Sequence, residues 1–254
     1  MNKPDRLNAV LDLLSANGRV EVAELAQRFG VSEMTVRRDL EELERQDRCR
    51  RVHGGAIPGT SRSYEPPFGL REQRQTEAKT AIAAGVVDLL GVDETVFLDV
   101  GTTTLAVARE LVGRSNLTVI TPSLPVASLL ADEAGLRVIC LGGLARQGER
   151  SLVGSLTLEG VRQFYVDVVV LGVGGLDAEA GLTEFNVEDA AVKRAVLERG
   201  RRLIVAADGS KLGAVAFAAV APADHIDVLV TNAEAEHEQV RRLRDLGVEV
   251  RLVK

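Results

Sequence analysis

Val31-Ser32-Glu33-Met34-Thr35-Val36-Arg37-Arg38-Asp39-Leu40, followed a little later by Arg51-Val52-His53-Gly54-Gly55-Ala56, is the stretch on which the reading of this 254-residue chain turns. Ser32 stands where a helix N-cap belongs, its hydroxyl able to accept from the free N–H groups of the first turn. From there Val36, Leu40 and Leu43 recur at helical spacing and define a buried face. Met34, Arg37, Arg38 and Glu41 are left on the opposite side. A basic cluster, Arg48, Arg50 and Arg51, leads into the second segment, where His53-Gly54-Gly55 has the chemistry of a hairpin turn.

Working outward, Leu7, Val10, Leu11 and Leu14 mark one face of an earlier helix. Asn17-Gly18 ends it, because glycine suits the left-handed residue after a helix. Val22, Leu25, Ala26 and Phe29 mark a short second helix, and Gly30 allows the tight turn before Ser32. Three helices and a basic hairpin make the layout of a winged helix-turn-helix, which sets its third helix in the DNA major groove. Arginine can grip guanine O6 and N7 with two hydrogen bonds, and Ser or Thr can reach bases or phosphates. The candidate DNA contacts are therefore Ser32, Met34, Thr35, Arg37 and Arg38 on the helix, with Arg48, Arg50, Arg51 and His53 on the hairpin. A plain three-helix bundle with a solvated charged face is the competing reading. It does not account for a glycine turn, a capped third helix and a basic hairpin occurring together. His53 reads first as a structural hydrogen-bonding residue before the glycine pair, and second as a DNA contact.

Composition sets the bounds. The length suits one or two domains. Aromatic residues are only 3% of the chain, so the cores must be built from Ala, Val and Leu. Net charge is -6, yet residues 1–57 hold ten Lys/Arg and ten Asp/Glu, so the remainder carries the whole deficit. Local arginine clusters can still bind phosphate while an acidic body limits non-specific adhesion. Cys49 and Cys140 have no metal or redox spacing, and a disulfide framework is not expected. Neither a signal peptide nor an apolar run of membrane-spanning length is evident. A cytoplasmic protein with no membrane partner is the expectation.

Residues 58–75 begin with a Pro, Gly and Ser-rich stretch, Pro58 to Pro67, that reads as a linker. Beyond it, strands and helices alternate. Helices are expected over 76–90, 104–111, 125–132, 186–199 and 236–245, and strands over 95–100, 117–121, 137–141, 166–173, 202–206, 228–231 and 248–253. This alternation predicts an α/β domain over 76–254 with a mainly parallel sheet covered on both faces. Ligands of such folds bind beyond the C-terminal ends of the strands. Polar residues collect there: Asp99-Val100-Gly101-Thr102-Thr103-Thr104, Thr121-Pro122-Ser123, Gly142-Gly143, Gly172-Val173-Gly174-Gly175 and Ala207-Asp208-Gly209-Ser210-Lys211. The Gly-Thr-Thr-Thr run at a helix N-terminus suits a phosphate. Alone it reads more readily as a capped turn; five such strand ends together point to a ligand site.

The first segment resembles the N-terminal domain of the DeoR family of bacterial transcriptional regulators. The likeness rests on Val31-Ser32, Thr35-Val36-Arg37-Arg38-Asp39-Leu40 and Arg51-Val52-His53-Gly54-Gly55-Ala56. The strand-end motifs resemble the sensor domain of that family, which is in turn similar to ribose-5-phosphate isomerase A and glucosamine-6-phosphate deaminase. The resemblance implies an isomerase-like sensor and an effector that is a phosphorylated sugar or related metabolite. It assigns the phosphate to Gly101, Thr102 and Thr103 beside Thr104, and implies roles for Lys79 and Lys211. Asp99, Glu188 and Lys193 match less closely, and Ser123, Gly142, Gly143, Gly172 and Gly174 complete the candidate effector site. Lys79 and Lys193 could equally lie on solvated helix faces, and for Glu184 and Arg71 a surface role is the simpler reading. Departures from the family pattern are Asp47-Arg48 before the hairpin, Pro122 in place of an asparagine, and Asn232 in place of an aspartate.

The function expected is a DNA-binding transcriptional regulator, a repressor of carbohydrate metabolism genes. Its partners are operator double-stranded DNA, a phosphorylated sugar, and further copies of itself in a homodimer or homotetramer; no cofactor, metal or catalytic residue is expected. One alternative is a catalytically active sugar-phosphate isomerase or deaminase with a DNA-binding appendage. Such chemistry needs a general base and an electrophilic partner. Asp177 stands largely alone after the glycine-rich strand end, and Glu188 by itself is not a mechanism. A second alternative is a metabolite-binding protein that uses its small domain for protein contacts.

Overall fold

The structure is a computed structural model that describes residues 2–46, 48–59 and 62–254. Asp47, on which the turn into the hairpin depends, and Thr60 and Ser61 of the linker lie outside the described residues. The chain divides into two units, Met1–Pro66 and Pro67–Lys254.

In the first unit, α1 (Lys3–Asn17) starts at Asn2, whose side chain accepts from the Asp5 amide at 2.9 Å, and stops at Gly18 in the left-handed region. A two-residue strand, β1 (Val20–Glu21), leads into α2 (Val22–Phe29), which ends at left-handed Gly30. Then comes α3 (Glu33–Arg45), capped by Ser32 as its sequence requires. The hairpin is β2 (Cys49–Val52) and β3 (Gly55–Pro58), with His53-Gly54 as its loop, and the strand order is β1-β3-β2. Val10, Leu11, Leu14, Val22, Leu25, Val36, Leu40 and Leu43 form the core, the apolar faces read from the sequence. Gly55, paired with Glu21 where β3 runs antiparallel to β1, has no room for a side chain: a Cβ on it would lie 1.9 Å from the Val20 carbonyl oxygen.

Apolar periodicity did not reveal the other tie in this unit. The Arg6 guanidinium donates to Asp39 through Nε at 2.5 Å and Nη2 at 3.1 Å, with both side chains buried. It joins the start of α1 to the middle of α3.

The second unit opens with α4 (Phe68–Gln73), inside the stretch whose composition reads as a linker, and Phe68 is buried. There follow α5 (Thr76–Val87), β4 (Thr95–Leu98), α6 (Thr102–Leu111), β5 (Leu117–Thr121), α7 (Leu124–Leu130), β6 (Leu136–Cys140), β7 (Leu144–Ala145) and β8 (Leu152–Val153). The chain continues through α8 (Ser155–Arg162), β9 (Val166–Leu171), β10 (Gly175–Asp177), β11 (Gly181–Glu184), α9 (Val187–Leu197) and β12 (Gly200–Ala206). It ends with β13 (Ala218–Ala221), β14 (Val228–Thr231), α10 (Glu238–Asp245) and β15 (Glu249–Leu252).

Seven strands in the order β15-β14-β12-β9-β4-β5-β6 form one sheet, and each neighbouring pair is parallel. Alternate residues face opposite layers, as the pleat demands. Val168 and Val170 pack with α5, α6 and α7, while Val169 and Leu171 pack with α9 and α10. After β4 the chain turns toward β5, and after β9 toward β12, so the strand order reverses between two adjacent central strands. A crevice at the C-terminal ends of such a pair is where open α/β sheets take their ligands.

Besides α4 and β1, the sequence reading lacks α8, the β7–β8 hairpin and the small antiparallel sheet β10-β11-β13. The expected first sensor helix also stops earlier, at Val87, and the first strand at Leu98. Asp99 and Val100 thus lie in the loop beyond β4 and not in the strand.

Candidate nucleic-acid interface and candidate effector site

On α3 the buried face is Val36, Asp39, Leu40 and Leu43, and the outward face carries Met34, Arg37 and Arg38. Met34 is 59% exposed, a large apolar side chain held out at the N-terminal end of the helix. Ser32 Oγ accepts from the Thr35 amide at 3.2 Å and lies 2.9 Å from Thr35 Oγ1, so these two hydroxyls are occupied with capping. Arg37 reaches back to Glu33 at 3.1 Å, an exposed pair of the kind that contributes little and exchanges readily. Arg38 has no side-chain partner among the described residues.

The hairpin arginines differ from one another. Arg50 and His53 are exposed, and the His53 carbonyl accepts from Arg19 Nη2 at 3.4 Å. The Arg48 guanidinium stacks 5.5 Å from the Tyr64 ring centroid. Arg51 is engaged with α3: Nη1 meets Glu41 at 2.7 Å, Nε meets Glu44 at 2.6 Å, and its amide donates to Glu44 at 2.8 Å. The backbone and side-chain bonds from Arg51 hold the Glu44 carboxyl below its ordinary range. Arg51 therefore fixes the hairpin against the third helix, a role its basic character did not suggest.

At the C-terminal edge of the large sheet, α6 starts at Gly101 with φ 120, a backbone region that favours glycine. No side chain caps this helix, so its first-turn amides have no side-chain acceptor from the N-cap, although Thr102 and Thr104 are themselves buried. Thr104 Oγ1 donates to the Gly101 carbonyl at 3.0 Å, which leaves the hydroxyls of buried Thr102 and half-buried Thr103 without a hydrogen bond among the described residues. The Gly172 loop of β9 abuts this one: a Cβ on Gly172 would stand 3.4 Å from the Val100 carbonyl oxygen. The two loops that flank the strand-order reversal therefore come together.

Behind them is a buried charge cluster. Lys193 Nζ meets Asp99 at 2.7 Å, Glu184 at 2.7 Å and the Gly172 carbonyl at 2.5 Å, and its side chain is 2% exposed. Asp99 also accepts from the Gly172 amide at 3.1 Å, and Glu184 from the Phe185 amide at 2.9 Å. Burial opposes the charge on Lys193, but the two carboxylates hold its proton more firmly than usual. Burial likewise disfavours Glu184, and there Lys193 prevails and holds the carboxyl below its ordinary value. For Asp99 burial prevails and raises it. One cation thus shares two buried carboxylates, and Asp99 is the one that takes a proton first as pH falls.

The remaining residues expected at this site are placed as follows. Ser123 is buried and caps α7, its Oγ accepting from the Val126 amide at 3.4 Å. The Gly142 carbonyl accepts from Thr157 Oγ1 at 2.7 Å, and Gly143 leaves no room for a Cβ, which would lie 2.0 Å from that same hydroxyl. Gly174 is pressed against Glu184 and Phe185. Lys211 is half-buried with its ammonium 5.5 Å from the Phe185 ring centroid. Glu188 is exposed on the first turn of α9, away from the buried cluster. Lys79 is not on a solvated face: it is 6% exposed, and burial brings its ammonium down to about 8.

Glu184 and Arg71 do not have the surface role that is the simpler reading of the sequence, and the pairing of Arg146 with Asp189 has no counterpart in that reading. Glu184 belongs to the buried cluster, Arg71 pairs with Glu149, and Arg146 pairs with Asp189. Asp177 is a turn-former: its Oδ1 accepts from the Glu179 and Ala180 amides at 2.9 Å each, and its Oδ2 from Gln239 at 2.7 Å. A charged residue inside an apolar helix face was the available signal for Asp39 and Lys193; for the ion pairs across loops the sequence holds none. Among the described residues no helix is long and apolar enough to cross a membrane, and no cluster of metal-ligating residues occurs.

A winged helix-turn-helix followed in the same chain by a covered parallel α/β body is the organisation of a two-part transcriptional regulator. Residues 6–62 match the DeoR-like helix-turn-helix domain and residues 74–233 the DeoR C terminal sensor domain. The chain is 34% identical over 252 residues to the glycerol-3-phosphate regulon repressor of Escherichia coli, covering 99% of this chain and 100% of that one. It is 34% identical over 232 residues to the HTH-type transcriptional repressor GlcR of Bacillus subtilis, covering 91% and 89%. The chain belongs to the DeoR family of transcriptional regulators. Among solved structures, ribose 5-phosphate isomerase A of Methanocaldococcus jannaschii aligns with 54% of this chain and 55% of its own, at 17% identity and a TM-score of 0.42.

Proposed function

We propose that this chain represses genes of carbohydrate metabolism by binding operator DNA through α3 and the β2–β3 wing, and that a phosphorylated sugar or polyol controls its affinity. In this reading residues 1–57 bind DNA, 58–75 connect, and 76–254 bind the effector, in a cytoplasmic homodimer or homotetramer whose paired helices meet repeated half-sites. The observation that carries it is the uncapped N-terminus of α6 at the strand-order reversal, with the Gly172 loop closed against it. Free helix N–H groups and the helix dipole favour a bound phosphate there. Glycerol-3-phosphate, after which the regulon of the Escherichia coli relative is named, is a compound of that class.

A non-enzymatic role is supported by the occupancy of the buried cluster. Lys193 is saturated by three acceptors, and the exposed Glu188 side chain has no hydrogen-bond or ion-pair partner among the described residues. An isomerase needs a base free to take a substrate proton.

The test is operator binding by fluorescence anisotropy. Arg38→Ala is expected to weaken operator affinity by about 10–100-fold, the worth of one bidentate base contact of roughly 1–3 kcal/mol. Affinity is also expected to fall steeply with added salt. Glycerol 3-phosphate or a hexose phosphate is expected to shift the wild-type curve. An Arg38→Ala protein with unchanged affinity, or indifference to every phosphorylated sugar tried, would count against the reading.

A further inference from the structure

α4 is six residues long, too short to persist on intrinsic helicity, so what it touches must hold it. Its contacts are specific. Lys79 Nζ donates to the carbonyls of Arg71 and of Arg74, the latter at 2.6 Å, at the C-terminal end of the helix. The Arg71 side chain pairs with Glu149 on the β7–β8 connection. The guanidinium groups of Arg71 and Arg150 each lie 5.8 Å from the Phe68 ring centroid. Glu72 meets Arg109 of α6 at 2.6 Å.

Lys79 itself is in an unfavourable place. It lies in the first turn of α5, where the helix dipole opposes a cation, and it is nearly out of water. Its electrostatic neighbours are Asp208 and Lys211 beyond β12, along with Arg71 and Glu72. Asp208 and Lys211 follow a strand of the parallel sheet at its C-terminal edge, the edge where α6 begins. The ammonium therefore stands between two claims, the neutral carbonyls that end α4 and whatever anion arrives at the strand ends. Coulomb attraction adds to the hydrogen bond when the acceptor of an ammonium is an anion and not a neutral carbonyl.

We propose that Lys79 couples the two: its ammonium leaves the Arg71 and Arg74 carbonyls for the phosphate of an effector held at Gly101–Thr103, and α4 loosens. This rests on reading the α6 N-terminus as a phosphate site. α4 is the first helix after the boundary at Pro66–Pro67, so the segment released is the one through which the chain continues from the DNA-binding unit. Linkage makes the effect reciprocal: conditions that hold α4 in place weaken phosphate binding by the same factor.

Hydrogen exchange of the full-length protein tests this, with peptides spanning residues 68–76 followed with and without glycerol 3-phosphate and inorganic phosphate. Thermal shift reports binding independently, since a ligand of the folded state raises the melting temperature. Exchange in 68–76 is expected to quicken roughly tenfold with the probe, in the range usual for coupled sites. Lys79→Gln can still donate to a carbonyl but carries no charge, so α4 should stay protected without the probe and fail to respond to it. Thr103→Asp places an acid in a helix first turn, which favours folding, and should abolish both the thermal shift and the α4 response. A thermal shift with unchanged exchange in 68–76 overturns the coupling while sparing the site. A probe response that survives in Lys79→Gln also overturns it. The absence of any thermal shift with either probe overturns the phosphate site, and the coupling with it.

Discussion

Lys193→Met is expected to cost the large unit about 3–5 kcal/mol near neutral pH, because it leaves two buried carboxylates without their cation. Asp99 and Glu184 both depend on that ammonium, and the Gly172 carbonyl loses a donor as well. The pH dependence gives the prediction its sign. In the wild type, Lys193 is raised, so its contribution is complete below the unfolded lysine value and fades only in strong alkali. Glu184 is lowered, so its contribution is present above the unfolded carboxylate value and is lost as acid protonates it. In the variant, burial raises both carboxyls, and only backbone amides and the more distant Arg71 remain to oppose it. The folded state then binds more protons than the unfolded state, and stability rises on acidification. The gap between wild type and variant, measured by urea unfolding, should therefore narrow from about pH 7 to about pH 5. A gap that is small, or that does not depend on pH, would mean that the cluster is solvated in solution.

Asp39→Ala is the second large effect. It strands the Arg6 guanidinium in the core of a unit of 66 residues, a size at which a single core supplies only about 3–5 kcal/mol. Loss of about 3 kcal/mol should leave the three helices largely unfolded. Operator binding should fail although no outward residue of α3 has changed. Hydrogen exchange should show α1 to α3 unprotected while the large sheet keeps its protection. Arg6→Met together with Asp39→Leu should restore folding, because replacing both members of a buried pair by apolar groups is often neutral or better. An Asp39→Ala protein with protected helices would show that the pair is dispensable.

The contrast between what could be read from residues and what could not has a physical basis. The apolar faces of α1, α2 and α3 and the runs of β4, β5, β9 and β12 announce themselves through periodicity, and the structure has them where that periodicity places them. Strand-end loops were legible for the same reason: in a parallel sheet the C-terminal ends must share one edge. Helix α8 escaped notice because it is two turns long, contains Gly160 and buries only Thr157 and Val161. The antiparallel trio β10-β11-β13 joins segments far apart in sequence, held by pairings such as Glu184 with Ala218. Ion pairs such as Arg71–Glu149 and Arg146–Asp189 have no local signature at all. Asp39 and Lys193 carried a signal that the reading did not use: each is a charged residue at helical spacing from buried apolar positions. Each needed an opposite charge brought from elsewhere in the chain.

The bare start of α6 has one more consequence. Almost any helix is improved by a Ser, Thr, Asp or Asn at its N-cap, by about 1 kcal/mol. Here Gly101 occupies that place with a backbone angle such residues rarely adopt. Stabilising changes are easily found in natural proteins, and their usual cost is activity. On the proposed reading, the cheapest way to strengthen this fold is to let a nearby side chain cover those amides, and a lineage that took it would gain robustness and go deaf to its metabolite while still gripping its promoter. On that same reading, keeping the helix unfinished is what keeps the gene inducible.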